Sequence, residues 1–238
     1  MGHRLTKGQL KRELLKCGRD PVYFINNYIK VAHPMRGLIP FNLYPFQEKC
    51  VEDFKDHRFN IILKARQLGL STTSAAYITW LILFHRNKNV VVMATKLATA
   101  SNLVKKVKLA MKSLPEWMMI SKITIDNRNS FELDNGSQVK AISTSGDAGR
   151  SEALSLLVID EAAIIEGLDY LWAGLYPTLS TGGDCIILST PKGVGNMFHK
   201  LYTEAEQELN DFNPIKLPWD VHPERDQAWF RTHFKDFF

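Results

Sequence analysis

A single stretch, Asn60 to Thr73, narrows the possible folds of this chain more than any other segment. Its apolar run, Ile61 to Leu63, is short and continuous, which is typical of a strand buried on both faces of a parallel sheet. Gly69 then marks a turn, and residues 75–83 are rich in helix formers. In such a strand–turn–helix, backbone N–H groups converge on one spot at the helix N-terminus, where the helix dipole favours an anion. The stretch therefore predicts a phosphate-binding loop.

This loop departs from the usual G-x-x-x-x-G-K-[ST] pattern at two positions. Lys64 stands where the first glycine is expected, and Leu70 stands where the lysine is expected. Because polyphosphate must be met by positive charge, Lys64 and Arg66 are the candidate cations inside the loop. Ser71 has the position of the Mg²⁺-ligating hydroxyl, but a basic strand end before an ordinary helix is the alternative interpretation. The predicted nucleotide-binding residues of the loop are Lys64, Ala65, Arg66, Gln67, Leu68, Gly69, Leu70, Ser71 and Thr72.

A second apolar run, from Ser155 to Ile159, ends in two carboxylates, Asp160 and Glu161. An aspartate at the end of a strand beside a phosphate loop is placed to ligate Mg²⁺ directly or through water. The adjacent glutamate can polarise a water for in-line attack on a γ-phosphate. The alternative is a solvated turn or helix N-terminus. Together, the two stretches favour a Mg²⁺-dependent nucleoside triphosphatase.

The spacing of the buried runs predicts an α/β fold with a mostly parallel central sheet flanked by helices. Ligands of such sheets bind beyond the carboxyl ends of the strands, where all the candidate site segments fall. Helices are also expected over 9–30 (restarting at Pro21), from Pro45, over 95–111 and over 196–208, with a loop over 33–40. Short strands are expected at 123–125, 130–133, 138–142 and 212–217. The 95–111 helix and its end carry lysines at helical spacing that form either a DNA-tracking face or an ordinary solvated face: Lys105, Lys106, Lys108 and Lys112.

The segments ARQLGLST (residues 65–72) and LLVIDEA (residues 156–162) resemble the ATPase domain of the large terminase subunits of tailed phages. The resemblance implies a RecA-like P-loop ATPase, with small N- and C-terminal accessory or lid elements. Arg66 fits the arginine of the family's R-Q-x-G motif, and Lys64 fits the displaced lysine of its deviant loops. Which of the two carries the main electrostatic role stays open.

The same resemblance assigns roles outside the loop. The segment FNLYPFQ (residues 41–47) matches the element that precedes the P-loop in terminases and helicases, which makes Gln47, and secondarily Asn42, the adenine readers. A glutamine amide supplies the donor and acceptor that an adenine edge requires, although an exposed first-turn glutamine is the alternative. Arg150 corresponds to an arginine finger that reaches a neighbour's γ-phosphate, or else to a surface arginine paired with a nearby glutamate. Ser189 and Thr190 match the family's coupling motif.

The expected organisation is an N-terminal helical segment with the adenine-binding element (1–55), a P-loop ATPase core (56–205) and a C-terminal lid or linker (206–238). The family's nuclease domain, which needs about 200 residues, is expected to be absent. The implied partners are double-stranded DNA, the portal protein and procapsid, and the small terminase subunit. We expect a homo-oligomeric ring when assembled and a monomer in isolation. A superfamily 2-type helicase and a non-catalytic nucleotide-binding scaffold are the alternatives.

The composition of the chain indicates the kind of partner and the cellular compartment that we expect. The net charge of +5 and the pI near 9.0 suit a polyanionic partner. The sequence contains no apolar run of about 18 residues, so no membrane span is expected. Three scattered cysteines form no metal-binding spacing, which indicates a reducing compartment, the cytoplasm. The resemblance implies that this is the cytoplasm of a phage host.

Overall fold

A computed structural model describes residues 6–33, 35–144 and 152–233. Its α-helices are α1 (Lys7–Arg19), α2 (Pro21–Tyr28), α3 (Pro45–Asp56), α4 (Leu70–Phe84), α5 (Leu97–Lys112), α6 (Leu168–Leu175), α7 (Met197–Glu206) and α8 (Gln227–His233). Its strands are β1 (Lys30–His33), β2 (Gly37–Pro40), β3 (Phe59–Lys64), β4 (Asn89–Met93), β5 (Ile123–Asp126), β6 (Ser130–Leu133), β7 (Gln138–Ile142), β8 (Leu156–Asp160), β9 (Asp184–Ser189) and β10 (Asn213–Leu217).

Eight of these strands form one sheet in the order β10-β3-β9-β8-β4-β7-β6-β5. The six strands from β10 to β7 are parallel, whereas β6 and β5 continue the sheet antiparallel. Strand β9 lies between β3 and β8, so the strand that enters the P-loop is two positions away from the strand that ends in Asp160. The predicted α/β fold with a mostly parallel sheet is confirmed.

Helices cover both faces of this sheet because successive side chains of a buried strand point to opposite sides. Ile62 of β3 belongs to the apolar layer that contains α2, α3, α4 and α5. Its neighbour Ile61 belongs to the opposite layer, which contains α6 and α7. Helix α4 is buried along almost its whole length, from Thr73 to Leu83. The P-loop therefore opens into a helix that is fixed by packing on all sides.

One feature differs from the sequence-based expectations. Residues 33–40 were expected to form a loop, but β1 and β2 pair as an antiparallel hairpin in which Lys30 lies opposite Pro40. These strands are short and mostly exposed, so they carry no alternating apolar pattern that the sequence could reveal. The strand expected over 212–217 is present as β10, which pairs in parallel with β3. The expected domain bounds stay a prediction.

The three cysteines, Cys17, Cys50 and Cys185, are buried free thiols. Across the described ranges, every helix is too short or too polar to cross a membrane.

Candidate functional site

The loop between β3 and α4 is a tight turn built on two left-handed residues. Gly69, the N-cap of α4, has φ of 75°, and Gln67 has φ of 58°. A Cβ atom at position 69 would lie 2.7 Å from Nε2 of Gln47, so glycine is required there by both backbone and space. The turn delivers Ser71 and Thr72 to the first turn of α4. The first N–H groups of a helix lack acceptors within it, although that of Thr72 donates to the Gly69 carbonyl at 2.9 Å.

The structure places the Ser71 hydroxyl against the end of β8. Its Oγ donates to Oδ2 of Asp160 at 2.6 Å. The Asp160 side chain is buried, and this burial raises its pKa, against the opposing effects of the Ser71 hydrogen bond and the charge of Lys64. A serine hydroxyl and a carboxylate that are predicted to share one metal ion therefore lie in direct contact.

Lys64 and Glu161 form an ion pair at the same edge of the sheet. Lys64 Nζ lies 2.8 Å from Oε1 of Glu161, and the lysine side chain is only 7% exposed. The second oxygen, Oε2, accepts from the Thr190 hydroxyl at 3.0 Å and from its backbone N–H at 3.3 Å. Burial would raise the pKa of Glu161, but Lys64 and Thr190 outweigh it, so this pKa lies below its ordinary value. Glu161 is thus an oriented, ionised carboxylate.

Glu161 also has an unusual backbone, with φ of 54°, at the turn after β8. A left-handed conformation in a glutamate costs of order 1 kcal/mol and persists only where surrounding contacts fix it. Ser189 supplies one such contact, because its Oγ accepts from the N–H of Ala163 at 3.0 Å. The same hydroxyl donates to the Thr190 carbonyl at 2.8 Å. The ends of β8 and β9 are thereby joined around the glutamate.

The remaining loop residues divide into anchors and exposed positions. Leu70 is 1% exposed and packs in the core, so the side chain at the expected lysine position anchors the helix. Leu68 is buried in the same layer, and the N–H of Ala65 donates to the carbonyl of Leu217 in β10. Arg66 is exposed on the loop. Of the two candidate cations, Lys64 is the one in contact with the paired acids.

The Gln47 side chain stabilises the conformation of the P-loop. Its Nε2 donates to the Leu68 carbonyl at 2.9 Å, and its Oε1 accepts from the N–H of Tyr44 at 3.0 Å. The side chain is 3% exposed. Its reading of adenine stays a prediction, as does that of Asn42, which is exposed ahead of α3. Arg150 lies outside the described residues.

Two contacts of the loop have no signal in the sequence. The Arg225 guanidinium donates to the carbonyls of Arg66 and Gln67 at 3.0 and 2.9 Å. Lys106 Nζ, on the helix whose lysines the sequence offers as a DNA-tracking face, donates to Oγ1 of Thr72 at 3.0 Å.

That DNA-tracking interpretation is also weakened elsewhere on α5. Lys108 and Lys112 both pair with Asp126, at 2.7 and 3.3 Å. These two charges are partly neutralised within the chain itself.

The donors at the Ser71–Asp160 contact suit Mg²⁺. They are a hydroxyl and a carboxylate oxygen, the hard ligands that this ion prefers. A cation would also relieve the unfavourable burial of Asp160. Within the described ranges no three His, Cys, Asp or Glu side chains cluster as a metal site. A Mg²⁺ ion shared with substrate phosphates needs only one or two protein carboxylates.

The sheet order, the turn at Gly69 and the acids that end β8 define a RecA-like P-loop domain. The family model described as terminase large subunit, T4likevirus-type, N-terminal, matches residues 61–233, and the chain belongs to this family.

Solved structures of phage large terminases share the fold. The ATPase domain of the Thermus phage P74-26 large terminase superposes with a TM-score of 0.69 at 20% identity, covering 83% of this chain and 90% of that one. The HK97 bacteriophage large terminase superposes with a TM-score of 0.62 at 20% identity, covering 90% of this chain and 47% of that one. A third structure is the large terminase of a thermophilic bacteriophage in complex with ATP-gamma-S. It superposes with a TM-score of 0.63 at 13% identity, covering 80% of this chain and 48% of that one. The chain thus spans about half the length of these last two proteins.

Proposed function

We propose that this chain is a Mg²⁺-dependent ATPase that powers the translocation of viral double-stranded DNA into a procapsid. The observation that carries the proposal is the convergence of Ser71 with Asp160, and of Lys64 with Glu161, at one edge of the sheet. Family membership supports the packaging role, and the large terminase of the thermophilic bacteriophage has been solved with ADP and with ATP-gamma-S. The family also favours this function over the helicase and scaffold alternatives.

The phosphates would be held by the loop backbone and by nearby cations. The N–H groups of residues 67–71, at the N-terminus of α4, provide the anion site. Lys64 and Arg66 supply positive charge in place of the missing lysine at position 70, and Lys64 is the better placed of the two because it already lies beside Glu161. Ser71 and Asp160 would hold Mg²⁺, which when bound neutralises charge on the phosphates.

The chemical step assigns Glu161 as the general base. Its carboxylate takes a proton from a water whose oxygen attacks the γ-phosphorus, while the bond from that phosphorus to the bridging oxygen of ADP breaks. Lys64 stabilises the negative charge that develops on the transferred group, provided that its ion pair with Glu161 loosens as the phosphates bind. Thr190 keeps the carboxylate oriented through two hydrogen bonds.

Coupling to movement would run through the end of β9. Thr190 touches Glu161 directly, and Ser189 ties the same turn to Ala163. A change in charge at Glu161 would therefore act on the segment that leads into α7. The partners are the portal and procapsid, the small terminase subunit, and neighbouring copies in a ring, where Arg150 would complete the adjacent site.

The test is phosphate release by the wild-type chain and by Glu161→Gln, with DNA and portal present. We expect turnover to require Mg²⁺, and Glu161→Gln to bind ATP while losing at least about 100-fold in kcat, the usual scale of general-base removal. The matched control is Glu166→Gln, an exposed glutamate in the turn that follows.

Retained turnover in Glu161→Gln would reject the base assignment. Failure of the wild-type chain to release phosphate under these conditions would favour the scaffold alternative, and strand unwinding would favour the helicase.

A further inference from the structure

Lys106, in the middle of α5, brings a further positive charge to the start of α4. Its Nζ donates to Oγ1 of Thr72 at 3.0 Å, one residue along the chain from the Ser71–Asp160 contact. Helix α5 packs along α4, so the contact joins the two helices at the first turn of α4. A cation therefore lies at the end of the helix that the phosphates are expected to meet.

This position is electrostatically unfavourable for a lysine. The N-terminus of a helix is the positive end of its dipole, so it favours anions and disfavours cations. Burial lowers the pKa of Lys106, against the charge of Asp160. The hydrogen bond to Thr72 is made to a neutral hydroxyl, which stabilises an ammonium charge less than a carboxylate would. These effects oppose the charged form of the lysine until an anion joins it.

Lys106 differs from Lys64 and Lys108 in having no acidic partner. Lys64 pairs with Glu161 at 2.8 Å, and Lys108, two positions along α5, pairs with Asp126 at 2.7 Å. Within residues 6–33, 35–144 and 152–233, no carboxylate forms an ion pair with Lys106. The positive charge is thus free to meet an anion from outside this part of the chain.

The pocket beside Lys106 adds positive charge. It has a volume of about 420 Å³ including its open mouth, and it lies between α4, α5 and β1. Lys30 of β1 is the other charged residue in its walls, and the rest are apolar apart from Thr72. Asp160, whose charge acts on Lys106, is itself bonded to Ser71. The surroundings therefore favour an anion at the mouth of this pocket, beside the first turn of α4.

We propose that Lys106 is a phosphate-binding residue, whose ammonium donates to the polyphosphate chain of a nucleotide at the N-terminus of α4. It would share the role of the lysine that is absent at position 70, where Leu70 is buried in the core. The proposal rests on the proposed function for the identity of the ligand. A nucleotide is favoured over the DNA backbone because the ammonium is held by Thr72, a residue of the phosphate-binding turn itself.

The test measures binding of pyrophosphate and of ADP to the full chain with Mg²⁺, by calorimetry. Pyrophosphate isolates the polyphosphate contacts because it has neither base nor sugar. We expect Lys106→Met to weaken both ligands about tenfold, the effect of losing one hydrogen bond to a charged group. The matched control is Lys105→Met, which removes the same charge from an exposed position of the same helix and should leave pyrophosphate binding unchanged.

Urea unfolding without ligand separates this role from a structural one. The charge of Lys106 is unfavourably placed in the free chain, so Lys106→Met should unfold at the wild-type urea midpoint or above it. A lower midpoint together with weaker binding would overturn the proposal, because Lys106 would then act by holding α5 against α4.

Duplex DNA binding without nucleotide separates the two sources of phosphate. We expect Lys106→Met to bind DNA as the wild type does. Weaker DNA binding with unchanged pyrophosphate binding would replace the proposal with a DNA contact. Wild-type affinity of Lys106→Met for pyrophosphate and ADP would also overturn it, as would a wild-type chain that binds neither.

These readouts do not depend on turnover. A chain that loses pyrophosphate affinity in Lys106→Met, but whose wild type hydrolyses no ATP, would retain the phosphate-binding role of Lys106 and lose the proposed function.

Discussion

The two ends of the central sheet use polar side chains in opposite ways. At the carboxyl end, Lys64, Asp160 and Glu161 are ionisable groups that bond mainly to other side chains. At the amino end, polar side chains bond to backbone carbonyls: Asn60 Nδ2 donates to His57 at 2.8 Å, and Arg58 Nε donates to Gly183 at 3.0 Å. At one end, side chains are joined mainly to other side chains, and at the other they are joined to the backbone that ends or begins the strands.

This difference separates function from stability. Burying charge is costly, and perturbed carboxylates in a cleft are typical of functional sites. Here burial raises the pKa of Asp160, while Lys64 and Thr190 keep that of Glu161 low. Hydrogen bonds from side chains to backbone carry no comparable cost, and they stabilise whichever fold they close. Substitutions at the carboxyl end should therefore change catalysis, and those at the amino end should change the free energy of unfolding.

The largest effect is expected for Lys64→Met. Loss of the cation should lower kcat about 100-fold, the scale of removing one charge-stabilising group. It should also move the acidic limb of the pH–rate profile to higher pH, because Lys64 is a main cause of the low pKa of Glu161. Steady-state kinetics between pH 5 and pH 8 would measure both effects.

The matched control is Lys140→Met, which removes the lysine of another short ion pair, Lys140–Glu152 at 2.6 Å. This pair lies nearer the surface and should leave kcat and the pH profile unchanged. If the acidic limb of Lys64→Met lies at the wild-type pH, Lys64 does not lower the pKa of Glu161 during catalysis. The functional role assigned to the carboxyl end of the sheet would then be wrong.

A smaller effect, on stability alone, is expected for Asn60→Leu. Asn60 is 1% exposed and also accepts from Nδ2 of Asn213 at 3.1 Å. Replacing it leaves the His57 carbonyl and Nδ2 of Asn213 without their hydrogen-bond partner. The free energy of unfolding, measured in urea, should fall by about 1–2 kcal/mol. The kcat per folded molecule should stay at the wild-type value. A loss of kcat with unchanged stability would show that this end is not purely structural.

The smallest effect is expected for Asp184→Asn. Burial raises the pKa of Asp184 from 3.8 to about 6, against the charges of Lys88 and Arg58. The folded state favours the neutral acid, so Asp184 does not lower the free energy of unfolding below pH 3.8, where it is protonated in both states. The free energy of unfolding falls as the pH rises from 3.8 to about 6, because the folded chain must then bury the charged form. The substitution should stabilise the chain at pH 7.5 by about 1 kcal/mol after solvent screening, and by less at pH 4.5. An equal gain at both pH values would contradict this origin.

The elements that the sequence predicts well are those with a local signal. The apolar runs of β3, β4, β8 and β9 and the turn at Gly69 are visible in short windows, and parallel strands bring their carboxyl ends to one edge. Ser71 and Asp160 could therefore be placed together from order and context alone.

What the sequence could not provide are contacts that depend on the packed fold. The Lys64–Glu161 ion pair joins residues 97 positions apart, and Arg225 reaches the P-loop across 158 positions. The exposed hairpin of β1 and β2 has no apolar pattern, and nothing local places β10 beside β3. The engagement of Gln47 within the protein depends equally on tertiary packing.

The central claim is that a nucleotide and its metal bind at the carboxyl end, between the first turn of α4 and the end of β8. A crystal structure with Mg²⁺ and a non-hydrolysable ATP analogue tests it most directly. The account predicts a metal ion contacting Ser71, with Asp160 bonded to it directly or through water, and Glu161 facing the γ-phosphate. A nucleotide bound elsewhere, with the Ser71–Asp160 hydrogen bond left unchanged, would contradict it.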